Sequence, residues 1–405
     1  MKKLIIQKFG GTSLSSKERR NAAVHKILKA KEELKSVVVV VSAMGRNGDP
    51  YATDTLKSLI KNSTCSLKNI DLIMSCGEII SATVLASMLE SASQTVTVLT
   101  GFQAGILTNN SFSSSEILSI DKKKITSHLM KDEIVIVCGF QGVTKNNEIT
   151  TLGRGGSDTT AAALGVALEA ECVEIYTDVD GVMTADPNVV SSAKIIEEIN
   201  YNEVYQMADT GAKVIHPKAV EIAQKGNILL KIKNTMSSHP GTYISANTIV
   251  VSNPNLSEIN DALLTAITHK DNISQVTISM DENGIAESGI FSSLARANIS
   301  LDMITLFVTK KIFTIDDLQS NLLKEILDAS NLQYRILDNC SKITIIGNKI
   351  TGIPGVMARI LSTFSKNNIQ ILQTSDSHST ISCLVHTKNA ILAVNVLHQA
   401  FGLNL

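Results

Sequence analysis

Tryptophan is absent from this 405-residue chain and aromatic residues make up only 4% of it, so no stacking platform for nucleic-acid bases is available. Charge of one sign is lacking too. Thirty-seven Lys and Arg stand against 38 Asp and Glu, a net charge of -1, and the basic residues are scattered instead of forming a face for a polyanion. No nucleic-acid partner is therefore expected. Long apolar runs are missing: mean hydropathy is +0.15, but the longest uninterrupted aliphatic stretch is Val37 to Val41, far short of the roughly 20 residues a membrane span needs. No membrane association is expected either. The N-terminal Leu4-Ile5-Ile6 stops at Gln7-Lys8 without a small-residue cleavage site, which reads as a first strand and not as a signal peptide.

The six cysteines form no CxxC pair, and several lie in apolar runs such as Ile134 to Cys138, as buried reduced thiols of a cytoplasmic protein do. His216-Pro217 has no second His or Cys at metal-site spacing, so it reads as a turn, and no protein metal site is expected. Neither a Walker A loop nor a G-x-G-x-x-G fingerprint is present.

What is present is a chain long enough for two or three domains. Its first 235 residues alternate strand-like and helix-like patterns, the mark of an α/β domain with a mostly parallel open sheet sandwiched by helices. Strands are expected at 4–8, 37–41, 95–99, 134–138, 173–177 and 228–233. Helices are expected after Ser15, read as the N-cap of a capping box with Glu18, and over about 78–90, 159–170 and 212–224. The polar, turn-rich stretch between Asn234 and Asn260 reads as a boundary, giving a first domain over 1–240 and a linker over 241–262. Beyond it, Ile290 to Leu301 aligns at an offset of 70 with Ile360 to Ile371, each reading as helix, Asn turn and strand. Two α+β modules of βαββαβ order follow, over 263–338 and 339–405.

Three glycine-marked segments carry the chemistry: Lys8-Phe9-Gly10-Gly11-Thr12-Ser13, Gly153-Arg154-Gly155-Gly156-Ser157-Asp158 and Thr177-Asp178-Val179-Asp180-Gly181. With Ser42 to Gly45 and Gly139 to Gly142, the candidates mostly follow strands, at the sheet edge where open α/β folds bind ligands. Lys8 ends an apolar strand before two glycines, where phosphate oxygens would satisfy it; a lysine snorkelling to water is the plainer alternative. Arg154 offers a planar fork for a carboxylate at the start of an Ala-rich helix whose amides can bind an anion. Glu78 reads either as a dipole-favoured residue opening a helix or as a partner for a substrate ammonium. Together these groups fit phosphoryl transfer to a small molecule.

Taken as a set, these motifs, together with Thr184-Ala185-Asp186-Pro187 and Gly211-Ala212-Lys213-Val214-Ile215-His216-Pro217, resemble the aspartokinase family from end to end. The resemblance implies an amino-acid-kinase fold followed by two ACT modules, and phosphorylation of the L-aspartate side-chain carboxylate by ATP with Mg2+. It implies that Lys8 and Asp158 are catalytic and that Ser42, Glu78, Gly139, Arg154 and Ser157 bind substrate. Lys8, Gly10, Gly11, Ser13, Thr177, Asp178, Asp186 and Lys213 fall at its nucleotide positions. After Gly45 the connection Arg46 to Asp54 is longer than usual, as in the diaminopimelate-inhibited Gram-positive type, and Thr53 is the candidate for the family's threonine contact to aspartate. The resemblance further implies a homodimer through the ACT modules and an amino-acid effector: meso-diaminopimelate, lysine or threonine. Its contacts are expected at Gln373, Thr374, Ser375 and Asp376. The first module is inserted into the second, so that Leu264 to Thr268 pairs with the C-terminal unit; the first module lacks the Pro-Gly turn kept at Pro354-Gly355. A catalytically silent amino-acid sensor is the competing class, and intact Lys8, Arg154, Asp158 and Lys213 argue against it.

Overall fold

Five consecutive valines, Val37 to Val41, leave a strand no polar face. In the computed structural model they are fully buried within an eight-stranded sheet. The structure describes all residues except 1–2, 34, 61–63, 213, 247–263, 280–286, 331, 349, 351–352 and 405. The chain divides into two units: Met1–Val182 with Ile195–Ala208 and Lys213–Val250, and Met183–Lys194 with Asp209–Ala212 and Val251–Leu405.

The sheet of the first unit runs in the order Glu198–Asn200, Thr242–Ser245, Leu230–Asn234, Cys172–Thr177, Leu4–Phe9, Ser36–Val41, Ile134–Cys138, Val96–Leu99. Every pairing is parallel except Leu230–Asn234 with Thr242–Ser245. Leu4–Phe9 is flanked by Ser36–Val41, the next strand in the chain, and by Cys172–Thr177, which arrives much later. That reversal of direction opens a crevice at the carboxyl ends of the three strands. A smaller four-stranded sheet, containing Gln141–Val143 and Ile149–Thr151, holds the segment leading to Gly153.

Three expectations are corrected here. The helix expected to begin at Glu78 runs over Leu67–Ser91, and Glu78 lies in its middle. Gly77 is tolerated in mid-helix because a Cβ there would lie 2.7 Å from the Ala43 side chain and 3.0 Å from the Tyr51 carbonyl, so the position serves close packing. By length and composition alone this helix suits a membrane span, yet Leu85, Leu89 and Ala82 on it are fully buried in the core of the first unit. Ser16, not Ser15, caps the Lys17–Glu32 helix, its hydroxyl accepting from the Arg19 amide at 3.2 Å. The helix expected over 212–224 covers only Pro217–Lys225, with His216 as its cap.

In the second unit a six-stranded antiparallel sheet orders Asp302–Leu306, Lys310–Asp316, Leu264–Ser279, Tyr334–Gly347, Thr380–His386, Gln373–Asp376. The 16-residue strand Leu264–Ser279 and the 14-residue strand Tyr334–Gly347 run through both modules. Their amino- and carboxyl-terminal parts respectively pair as Leu264↔Gly347 and Ala266↔Ile346, so Leu264 to Thr268 does join the C-terminal unit. Register shifts between Lys270 and Ile273 mark the passage from one module to the other. Each half has its own core, one around Phe313, Leu323 and Ile278, the other around Phe364, Ile343 and Leu397. The repeat is real at the backbone: Asn298 and Asn368, 70 apart, both take left-handed φ, 56° and 54°, between a helix and a strand.

A single cut at 240 does not describe this chain. Thr242–Ser245, inside the span read as linker, is a strand of the first sheet, and most of the rest of that span lies outside the described residues. Conversely, 183–194 belongs to the second unit. Ala185 and Val190 are buried among Ile343, Phe364 and Leu397, the Thr184 carbonyl accepts from the Ile267 amide at 2.8 Å, and the Thr184 hydroxyl meets His398 Nε2 at 2.9 Å.

Candidate active site

Lys8 follows three buried strand residues and is itself 9% exposed, so its ammonium needs a partner. It finds one in Asp158, Nζ to Oδ1 at 2.6 Å, both side chains nearly buried. Asp158 is brought there by the Gly156–Ala167 helix, whose N-cap Gly155 has φ +65°. Only glycine fits that turn: a Cβ would lie 2.3 Å from the His216 side chain. The same helix places Ser157 against Gly139, where a Cβ would come 2.8 Å from the serine Cβ and Oγ and from the Val41 carbonyl. Gly11 is equally confined, 2.5 Å from the Gly45 carbonyl for a Cβ, and the Gly45 amide donates to the Gly11 carbonyl at 3.0 Å. At Gly10 a Cβ would stand 3.3 Å from Lys8 Nζ. Backbone, not side chain, thus walls the crevice beside the ammonium.

Glu78 is 2% exposed. Its Oε1 accepts from the Ala43 amide at 3.0 Å, while Oε2 is buried without a hydrogen-bond partner. Burial pushes its carboxyl up to about 8, only partly offset by the Ala43 amide. Ser42 and Gly139 are tied to neighbouring strand ends, Ser42 N to Phe9 O at 3.1 Å and Gly139 N to Val41 O at 3.0 Å. Arg154 stands exposed on the turn between Gly153, φ +74°, and Gly155. Lys8, Ser42, Gly139, Ser157 and Asp158 therefore converge on the carboxyl ends of adjacent strands, and Glu78 joins them through Ala43.

Residues 3–234 match the amino acid kinase family and residues 335–399 the ACT domain. Aspartokinase 1 of Bacillus subtilis is 40% identical over 406 residues, covering 99% of this chain and 100% of that protein. The chain belongs to the aspartokinase family. The aspartokinase of Geobacillus stearothermophilus is 37% identical over 99% of this chain and 97% of its own length. Among solved structures, Escherichia coli aspartokinase III in complex with aspartate and ADP superposes with a TM-score of 0.79 at 25% identity, covering 98% of this chain and 99% of that one. As an aspartokinase the protein is an ATP-using kinase whose acceptor is a carboxyl group, with regulation through ACT domains.

The remaining family positions of this aspartokinase are placed variously. Ser13 is fully buried, its hydroxyl donating to the Tyr176 carbonyl at 3.2 Å and accepting from Thr235 at 2.7 Å, so it fastens strands together and does not face the crevice. Thr177 ends its strand and bonds Asp178, 3.2 Å between Oγ1 and Oδ1; Asp178 in turn pairs with Arg46 at 2.5 Å. Thr53 opens the short Thr53–Ser58 helix. Asp186 sits in the second unit, where its Oδ1 accepts from the backbone and side chain of Asn188, both at 2.9 Å. Lys213 lies outside the described residues. Gln373 to Asp376 form the edge strand of the second sheet; Gln373 Nε2 donates to the Met303 carbonyl and to Thr305 Oγ1, bridging the two modules, while Thr374 and Asp376 are exposed.

Two residues were not singled out from sequence. Asp71 is fully buried and accepts four hydrogen bonds, from the amide and hydroxyl of Ser113 and of Thr151, all between 2.8 and 2.9 Å. It thereby anchors the strand that leads into Gly153-Arg154. Its signal was a lone carboxylate in the apolar run Ile70-Asp71-Leu72-Ile73-Met74. Arg46 lies in the unusual connection after Gly45, and only its tertiary pairing with Asp178 marks it.

Proposed function

We propose that Lys8 and Asp158 form the catalytic centre of phosphoryl transfer from ATP to the side-chain carboxylate of L-aspartate. One aspartate carboxylate oxygen attacks the γ-phosphorus, the bond to the β-phosphate oxygen breaks, and 4-phospho-L-aspartate and ADP result. The attacking group is already ionised at neutral pH, so no general base is required, and catalysis is positioning plus neutralisation of phosphoryl charge. The single observation that carries this reading is the nearly buried 2.6 Å pair of Lys8 and Asp158 beside glycines that exclude any Cβ. Asp158 aims the ammonium; Gly10 and Gly11 let phosphate oxygens approach the backbone. Mg2+, which would be held largely by nucleotide oxygens and water, would supply further neutralisation of the phosphoryl charge beside Lys8.

In the same proposal Arg154 receives the α-carboxylate of aspartate through its fork, and Glu78 receives the α-ammonium. The unpartnered, buried Oε2 of Glu78 supports that assignment, because a cation is what a desolvated carboxylate lacks. Ser42, Gly139, Ser157 and Thr53 complete the substrate pocket, and Thr177, Asp178 and Lys213 the nucleotide side. An amino-acid effector acts through the second unit, and two chains pair there. The exposed Ile304, Leu306, Phe307 and Val308 along the edge hairpin support that pairing. The buried free thiols Cys138, Cys172, Cys340 and Cys383 fit a reducing cytoplasm.

The test is acyl phosphate formation from ATP, magnesium and L-aspartate, trapped as the hydroxamate, with L-glutamate as control. Lys8→Ala is expected to lower kcat by about 10²–10³-fold while ATP still binds. Unchanged turnover in that variant sinks the assignment of Lys8.

A further inference from the structure

The loop that follows Ser36–Val41 carries a cation across the crevice of the first unit. Strand register sets its place. Phe9 lies level with Val41 on one side and with Tyr176 on the other, so the chain leaves all three strands at one height. Beyond that edge Gly10 and Gly11 are held from both flanks: the Gly10 amide donates to the Tyr176 carbonyl at 3.3 Å, and the Gly45 amide donates to the Gly11 carbonyl at 3.0 Å. Arg46 is the residue after Gly45, and Asp178 comes two after Tyr176. Their 2.5 Å ion pair therefore bridges from one flank of the two glycines to the other.

The backbone of Arg46 is fixed, and its guanidinium is not. The Arg46 amide donates to Asp49 Oδ2 at 2.7 Å, and the Asp49 amide donates back to the Arg46 carbonyl at 2.9 Å. Gly45 has φ +92°, and a Cβ there would lie 2.4 Å from the Asp49 carboxylate, so this turn admits only glycine. The Arg46 side chain, by contrast, is 70% exposed. An exposed ion pair is screened by water and contributes little, so the guanidinium can change partners at small cost. Phosphate is the stronger partner, because its oxygens match the planar fork with two parallel hydrogen bonds. A polyphosphate lying on Gly10 and Gly11 brings several negative charges to a place where the buried cation, Lys8, is already balanced by Asp158. Arg46 is the further cation that the adjoining loop supplies there. We propose that Arg46 is a phosphate-contacting residue of the kinase, its guanidinium leaving Asp178 for the terminal phosphates when a nucleoside triphosphate binds. Asp178 keeps the side chain stationed across the glycines.

This role rests on the reading of the crevice as the nucleotide site and adds to it a residue from the long connection after Gly45. Calorimetric titration of the full chain with ATP, ADP and AMP, each with magnesium, tests it, beside hydroxamate assays at varied ATP and aspartate. Arg46→Ala is expected to weaken ATP binding and raise the KM for ATP about tenfold or more, with a much smaller loss for AMP and an unchanged KM for aspartate. Its melting temperature stays that of wild type, and Arg46→Lys, which keeps the charge but not the fork, recovers part of the loss. Equal losses for ATP and AMP would show that the pair only clips two loops together, and wild-type ATP affinity in Arg46→Ala would show that the guanidinium touches no phosphate; either result overturns the assignment. If hydroxamate still forms from aspartate in those cases, the kinase reading stands without Arg46. Arg46-dependent ATP binding without phosphorylation of aspartate does the reverse.

Discussion

Glu78→Gln separates what the active site needs from what the fold would prefer. In the folded chain the Glu78 carboxyl titrates at about 8 because it is buried, against 4.5 for the ordinary side chain. The folded state therefore holds a proton that the unfolded state releases between these values, so stability falls as pH rises from about 4.5 to about 8. At about 1.36 kcal/mol per unit, the difference of about 3.5 units is worth on the order of 5 kcal/mol at and above pH 8, and about 3 at pH 7. Glutamine fills the same space, keeps an oxygen for the Ala43 amide and carries no charge, so the variant escapes this loss. The variant is expected to be as stable as wild type near pH 5 and more stable by several kcal/mol at pH 8.5, as read by denaturant unfolding across that range. The same substitution removes the charge that receives the substrate ammonium, so hydroxamate formation falls steeply and the KM for aspartate rises. In the wild type the KM for aspartate drops toward pH 8, as the ionised form of Glu78 becomes populated. Parallel stability curves for the two proteins between pH 5 and 8.5 would refute the burial argument; full activity of the variant would refute the assigned role.

The other expectations concern the scaffold around the site. Asp71→Ala leaves the amides of Ser113 and Thr151 buried without their acceptor, a loss of about 3–5 kcal/mol, and a raised KM for aspartate in whatever folds, because the strand leading to Arg154 loosens; unchanged melting of this variant would contradict the network. Gly139→Ala brings a Cβ to 2.8 Å from Ser157 and from the Val41 carbonyl, so about 1–3 kcal/mol of strain and a large drop in kcat are expected, and kinetics identical to wild type would show that the crevice has room. Lys8→Ala, assayed as above, is the direct test of phosphoryl charge neutralisation.

Much of the site was legible because its chemistry is local. A lysine ending an apolar strand before two glycines, an arginine on a glycine turn and an acid in the first turn of an Ala-rich helix declare themselves by neighbours in the chain. Glu78 was misplaced at a helix start because Gly77 looked like a break; what makes glycine acceptable there is the Tyr51 carbonyl and Ala43, distant in sequence. Ser13 sat in the right motif, but its hydroxyl is claimed by Tyr176 and Thr235, partners no local pattern reveals.

By itself the sequence determined the alternation of strands and helices, the buried valine strand, the glycine positions that demand left-handed or crowded backbone, and the 70-residue repeat, all of which depend on side-chain polarity and steric freedom along a few neighbouring residues. Only the tertiary structure decided that 183–194 joins the second unit, that two long strands serve both modules, that Asp71 anchors the arginine turn and that Arg46 meets Asp178. Those depend on which surfaces meet between residues separated by 42 to 214 positions in the chain, where burial and hydrogen-bond satisfaction are settled together rather than one residue at a time.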